Sequence, residues 1–137
     1  MKAGAGFLST ENALETTING QTRCTTMTPS QMAHSYTFNV SSDNVGVLTR
    51  ISMAFTVPVT CTGDHEDSSP TSYSIPNLDL EIYMPNNTIT PYVSSVTTNN
   101  VEIVEFYPTV AGTYTIKIVN TTPSTQNVYF GVAWHFD

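Results

Sequence analysis

Three groups of side chains in this 137-residue chain are of types that do chemistry. The first is acidic: Asp64, Glu66 and Asp67 lie in the run "GDHED", and Asn77, Asp79 and Glu81 alternate along "NLDLEIYM" just after it. Calcium takes about six to eight oxygens from carboxylates, amides and backbone carbonyls. An acidic loop folded back over a strand with outward carboxylates would supply such a set. The spacing is not that of an EF-hand, and the competing reading is a solvated loop and a strand whose charges deter edge pairing.

The second group is a pair of thiols, Cys24 and Cys61. If strands near 35–40 and 47–57 form a hairpin, the chain enters and leaves it at one end, and the two cysteines can meet. A bridge there would add about 3–4 kcal/mol in the loop-entropy account and would place the chain in an oxidising compartment. Two unrelated thiols are the alternative. The third group is aromatic: Tyr83, Tyr92, Tyr107 and Tyr129 fall at outward strand positions, where a flat exposed ring stacks on a sugar. Ordinary cross-strand packing is the plainer use of such a ring. Tyr83 and Tyr92 are the expected ligand-binding pair.

Other chemistry is poorly represented. His34, His65 and His135 do not recur at metal-ligand spacing, the two cysteines form no CxxC pair, and no glycine-rich phosphate loop occurs. His135 alternates away from the apolar row of its strand and is expected on the far side of a sheet, while His34 begins a strand. No serine sits in a convincing nucleophile motif. The chain itself is therefore expected not to be an enzyme.

These residues must be carried by strands. "HSYTFNV" sets Tyr36, Phe38 and Val40 on one face, and "VLTRISMAFTV" sets Val47, Ile51, Met53, Phe55 and Val57 opposite Arg50, Ser52 and Thr56. Such period-two alternation belongs to half-buried strands. Thr16 to Met32 reads as linker or edge structure, and Thr60 to Pro76 as a loop. In "NLDLEIYM" Leu78, Leu80, Ile82 and Met84 point inward, and "PNN" stops the strand. Short strands follow near 92–96 and 101–106, then "TYTIKIV" with Tyr114, Ile116 and Ile118 together. The last, "NVYFGVAWHF", aligns Val128, Phe130, Val132, Trp134 and Phe136, a row long enough to predict a central position. The pattern predicts an all-β antiparallel sandwich or jelly roll with a short N-terminal helical segment.

Length bounds this to one domain. Four basic against eleven acidic side chains, a net charge of -7, exclude a basic face for nucleic acid. They also argue against anionic membrane surfaces. No apolar run approaches the ~18 residues of a spanning helix, and "MKAGAG" lacks the apolar core of a signal peptide. The chain is expected to be cytoplasmic or a piece of a longer exported protein.

The order of motifs from 46 to 137 favours the second. A strand ending "FTVPVT", a polar insertion, "NLDLEIYMPNN", "VEFYPTVAGTYTIKIVN" and a closing aromatic strand resemble the β-sandwich domains that follow the catalytic domain in bacterial subtilisin-like serine peptidases. These are the pre-peptidase C-terminal and subtilase jelly-roll domains. Pro85 and Asn86 suit a turn needing a set φ and a left-handed residue, and Gly112 can take the positive φ that reverses the chain. At the other end, "GAGFLSTENALE" is similar to the closing helix of a subtilase catalytic domain, with Thr10 as a candidate N-cap and Ala13 and Leu14 on the buried side. The peptidase's nucleophile signature is Gly-Thr-Ser-Met-Ala at a helix start. Here Ser52-Met53-Ala54 follows Arg50-Ile51 within a strand pattern, so Ser52 is not read as a nucleophile.

The resemblance implies that residues 1–20 are the end of an upstream catalytic domain with its linker, and 21–137 an accessory β-sandwich. It implies an exported, extracellular or cell-surface bacterial protein whose partner is the peptidase domain of the same polypeptide, and it adds weight to calcium, with Asp79 in the "LDL" strand as the one ligand it suggests. The accessory role would be stabilisation, substrate engagement or surface retention. The alternative is a free carbohydrate- or matrix-binding module. Membrane insertion and nucleic acid are not expected.

Overall fold

The computed structural model describes residues 21–57, 59–62, 69–73, 76–86, 91–122 and 125–137, with the strands at 59–62 and 69–73 described by their backbone. The expected N-terminal helix lies outside these residues. Ten strands run in order: β1 (Gln21–Met27), β2 (Ala33–Val40), β3 (Thr49–Phe55), β4 (Val59–Thr62), β5 (Ser69–Tyr73), β6 (Asn77–Tyr83), β7 (Tyr92–Ser94), β8 (Val101–Phe106), β9 (Gly112–Thr122) and β10 (Val128–Phe136). Among the described residues the one helical element is a 3-10 turn at Ser42–Asn44.

Eight strands form two four-stranded sheets, β1-β10-β3-β8 and β2-β9-β6-β7. All their pairings are antiparallel. The pairs β1·β10, β2·β9, β3·β8 and β6·β7 are nested around the link between β6 and β7, as if one long hairpin had been rolled up. This is a jelly roll. The all-β sandwich expected from the sequence is the observed architecture, and β10 is indeed central, between β1 and β3.

Two connections differ from expectation. β2 and β3 do not form a hairpin: they lie in opposite sheets, and residues 41–48 carry the chain across the sandwich. Alternation marks which face a strand buries but not which neighbour it takes. The stretch read as a loop over 60–76 contains the β4·β5 hairpin, a separate two-stranded sheet with a register shift at Thr60/Cys61. Its prolines and serines hid two short strands. Within the stretch 16–32 read as linker or edge structure, β1 forms the rim of the first sheet.

The core lies between the sheets where alternation placed it. Ile51, Met53 and Phe55 from β3, Val128, Phe130, Val132 and Trp134 from β10, Leu78, Leu80 and Ile82 from β6, and Tyr114, Ile116 and Ile118 from β9 are all buried. Phe38 connects the layers, its ring centroid 5.5 Å from Tyr114 and 6.0 Å from Trp134. Each such side chain contributes roughly 1.5–3 kcal/mol of burial. Two stretches that read as separate turn signals adjoin, with Pro85 close to the Gly112 backbone. Asn86 has φ 77 and Gly112 φ 137, and a Cβ on Gly112 would stand 3.0 Å from Pro85 Cγ. The start of β9 thus needs a glycine beside the turn after β6, for its positive φ and for the space Pro85 leaves it.

Candidate functional site

Partnered residues of antiparallel strands share a face, so the register defines the outer surface of each sheet. On the second sheet the outward rows include Ser35, Lys117 and Glu81, then Thr37, Thr115 and Tyr83. These are polar side chains, and three of them, Lys117, Glu81 and Tyr83, interact with one another. Lys117 Nζ stands 3.6 Å from Glu81 Oε2 and 5.6 Å from the Tyr83 ring centre, and the Tyr83 hydroxyl donates to Glu81 Oε2 at 2.8 Å. That bond to a carboxylate holds the Tyr83 hydroxyl's pKa above its ordinary value, with burial adding to it.

The first sheet is different. One outward row is Cys24, Gly131 and Ala54, and the next is Thr22, Ala133, Ser52 and Ile103. Gly131 leaves a gap between its neighbours, and small side chains floor the rest. Two hollows result, of about 480 and 400 Å³, which share Cys24, Ala54 and Gly131. Tyr129, 60% exposed, stands as a wall at one end. At the other, Arg50 Nε meets Glu105 Oε1 at 2.5 Å and His135 Nε2 meets Asp137 Oδ1 at 2.7 Å. The first sheet thus presents a smooth apolar trough that ends in charges.

The expected sites are distributed as follows. Asn77 and Asp79 lie on one face of β6, and Asn77 Oδ1 and Asp79 Oδ1 are both shielded from water without a hydrogen-bond partner. Burial raises the Asp79 carboxyl above the usual range, the Glu81 charge adds to the rise, and the Asn77 side chain opposes it. Two shielded oxygens suit a hard cation, but Glu81 is committed to Lys117 and Tyr83. Asp64, Glu66 and Asp67 lie outside the described residues. Among the described residues no group of three His, Cys, Asp or Glu side chains could hold a metal ion, and the loop half of the expected calcium set lies outside them.

Cys24 is an exposed free thiol on β1, and the Cys61 side chain lies outside the described residues. The hairpin that was to bring the two cysteines together does not form, so that argument for a bridge fails. Tyr92 is not an open platform: it is half-buried and stacks on Phe106 at 4.6 Å between ring centroids. Short strand β7 is held to the core by that ring. Tyr107 is exposed, like Tyr129. Ser52 is a mid-strand residue of β3 facing the trough. His135 does lie on the far face of its sheet, though only 8% exposed, and His34 is the second residue of β2, 4.7 Å from the Tyr36 ring.

Sequence reasoning missed Glu102. This carboxylate is fully buried. It accepts the Ser94 hydroxyl and, at 3.0 Å, the backbone N–H of Val96, and so ties the β8 edge of one sheet to the β7 edge of the other. The signal was present in "VEIVEF", where Glu102 shares the inward register of Val104 and Phe106. Reasoning also passed over the trough, whose signal was small residues at outward positions, Ala54, Gly131 and Ala133.

The fold and these surfaces define a β-sandwich of the jelly-roll class. No family model matches the chain, and no curated protein matches its sequence. Among solved structures it is similar to PliG of Aeromonas hydrophila, a periplasmic lysozyme inhibitor of g-type lysozyme, with a TM-score of 0.53 and 10% identity over 86% of each chain. That likeness is one of fold.

Proposed function

We propose that this chain is a non-catalytic accessory domain of an exported subtilisin-like serine peptidase, serving stability, substrate engagement or surface retention of a catalytic domain in the same polypeptide. The observation that carries the reading is the contact of Pro85 with Gly112. The two turn motifs on which the resemblance rests adjoin in the fold, which supports reading them together. The small-residue trough supports it too, since a domain that works by docking needs a face free of long polar side chains. Export is consistent with the periplasmic setting of the similar structure. The test is the parent polypeptide, expressed whole and truncated ahead of Gln21. The whole protein is expected to retain peptidase activity longer on heating. An upstream region without the Asp, His and Ser of a serine peptidase would end the proposal.

A second reading is suggested by the similarity to PliG over 86% of each chain: a free inhibitor that blocks a lysozyme by surface contact. Micromolar chain added to g-type lysozyme would then slow lysis of bacterial cells, and an unchanged lytic rate rejects it. Fold alone does not choose between these, because jelly rolls host many functions.

A further inference from the structure

A third, smaller hollow lies where β1 begins and β2 and β10 end, and it draws its lining from both sheets. It has a volume of about 140 Å³ and is lined by Gln21, Phe38, Asn39, Trp134, His135 and Phe136. A cavity of ~150 Å³ admits one benzene-sized ring. The lining is of two kinds. Phe38, Trp134 and Phe136 supply apolar surface, and Gln21 and Asn39 supply amides that both donate and accept. A hydrocarbon ring would leave the amides unused, and a small inorganic ion would leave the rings unused. A sugar ring engages both, through its C–H face and its hydroxyls.

A cation stands beside this hollow. Arg23 shares the core-facing side of β1 with Gln21, opposite Val132 and Trp134, and its guanidinium carbon is 5.7 Å from the Trp134 ring centre. Its Nη1 donates to the Thr22 carbonyl at 2.8 Å, which leaves the rest of the guanidinium fork available. Arg50 and Lys117 are ion-paired with Glu105 and Glu81, whereas Arg23 has no carboxylate partner among the described residues. Asp137, bonded to the lining residue His135, is shared with Arg50. In a chain of net charge -7, an uncompensated arginine over a tryptophan stands out. Tyr36, opposite Ile116 on the core-facing side of β2, lies within reach of this charge. Burial first, and then Cys24, holds its hydroxyl's pKa above the ordinary value, and Arg23 opposes the rise. Among the described residues nothing hydrogen-bonds that hydroxyl.

We infer that this hollow binds a sugar acid, a single pyranose ring bearing a carboxylate. The ring rests against Trp134 and Phe38, the amides of Gln21 and Asn39 meet its hydroxyls, and the carboxylate takes the Arg23 guanidinium and the Tyr36 hydroxyl. Hydrogen bonds to an ionised group are roughly twice as strong as neutral ones, so the carboxylate separates this ligand from a neutral sugar. The inference does not depend on the peptidase reading.

Trp134 is the single tryptophan and lines the hollow, so its emission reports a guest directly. The full chain would be titrated with glucuronate, glucose and acetate, followed by Trp134 emission and by calorimetry, alongside Arg23→Gln and Tyr36→Phe. Glucuronate is expected to bind saturably and about tenfold or more tightly than either glucose or acetate. Arg23 is exposed, so Arg23→Gln is expected to keep the parent's urea midpoint while losing about tenfold in glucuronate affinity, as loss of a charged hydrogen bond implies. Tyr36→Phe should lose less. Acetate binding as tightly as glucuronate would overturn the inference, because the hollow would then take no part. So would glucose binding as tightly, an unchanged affinity in Arg23→Gln, or glucuronate that produces neither an emission change nor heat.

Discussion

Glu102 is the residue whose removal this fold should feel most sharply, because it is a buried acceptor for donors on another strand's flank. Glu102→Ala leaves the Val96 N–H and the Ser94 hydroxyl without that partner. It should cost about 1–3 kcal/mol in urea unfolding, since an unsatisfied buried donor loses its full desolvation term. Glu102→Gln, which keeps one acceptor oxygen, should cost less, and equal losses would show that only side-chain volume matters there. Asp79 behaves oppositely. Burial first, then the Glu81 charge, raises its pKa in the folded state, so the native chain holds that proton more tightly than the unfolded one. Stability from this group is therefore complete below the ordinary Asp range, and is lost as pH rises through the window up to the raised value. Asp79→Asn should raise the melting temperature at pH 7 and leave it unchanged near pH 3. A gain of the same size at both would remove the electrostatic account. The outward position of Asp79 was legible as alternation. Its shielding was not, because shielding depends on what the rest of the fold lays beside the strand.

At the scale of elements, β4 and β5 pair only with each other among the described strands. The hairpin sits between two strands of opposite sheets, β3 and β6, so the sandwich does not require it for any ladder. Replacing residues 59–73 by a short Gly-Ser loop should leave the sandwich folded, with a stability change within about 1 kcal/mol, because loop-closure entropy varies slowly with length. Loss of cooperative unfolding in that variant would mean that the hairpin is part of the core. The element boundaries and buried faces of β3, β6, β9 and β10 could be read directly, since hydrophobic alternation in a half-buried strand is a local signal. Strand pairing could not. Sequence proximity leaves a β2–β3 hairpin open, whereas β2 has β9 as its neighbour and β3 has β10 and β8.

For the whole molecule, the nested pairing joins the first strand to the last, Gln21 opposite Trp134. Contacts so distant along the chain must close large loops before any burial repays them, which slows folding. Refolding monitored by Trp134, 3% exposed in the native state, should therefore take milliseconds to seconds. A microsecond phase accounting for the full amplitude would contradict the long-range closure. The all-β class, the residues that line the core and the places of the Pro85-Asn86 and Gly112 turns are all legible along the chain, because alternation and backbone preference act within a few residues. That those turns adjoin, that a glutamate bridges the two sheets and that one outer face is a smooth trough emerge with the folded chain. Each of these depends on which strands become neighbours, and that is settled by how the faces pack together rather than by any strand's own pattern.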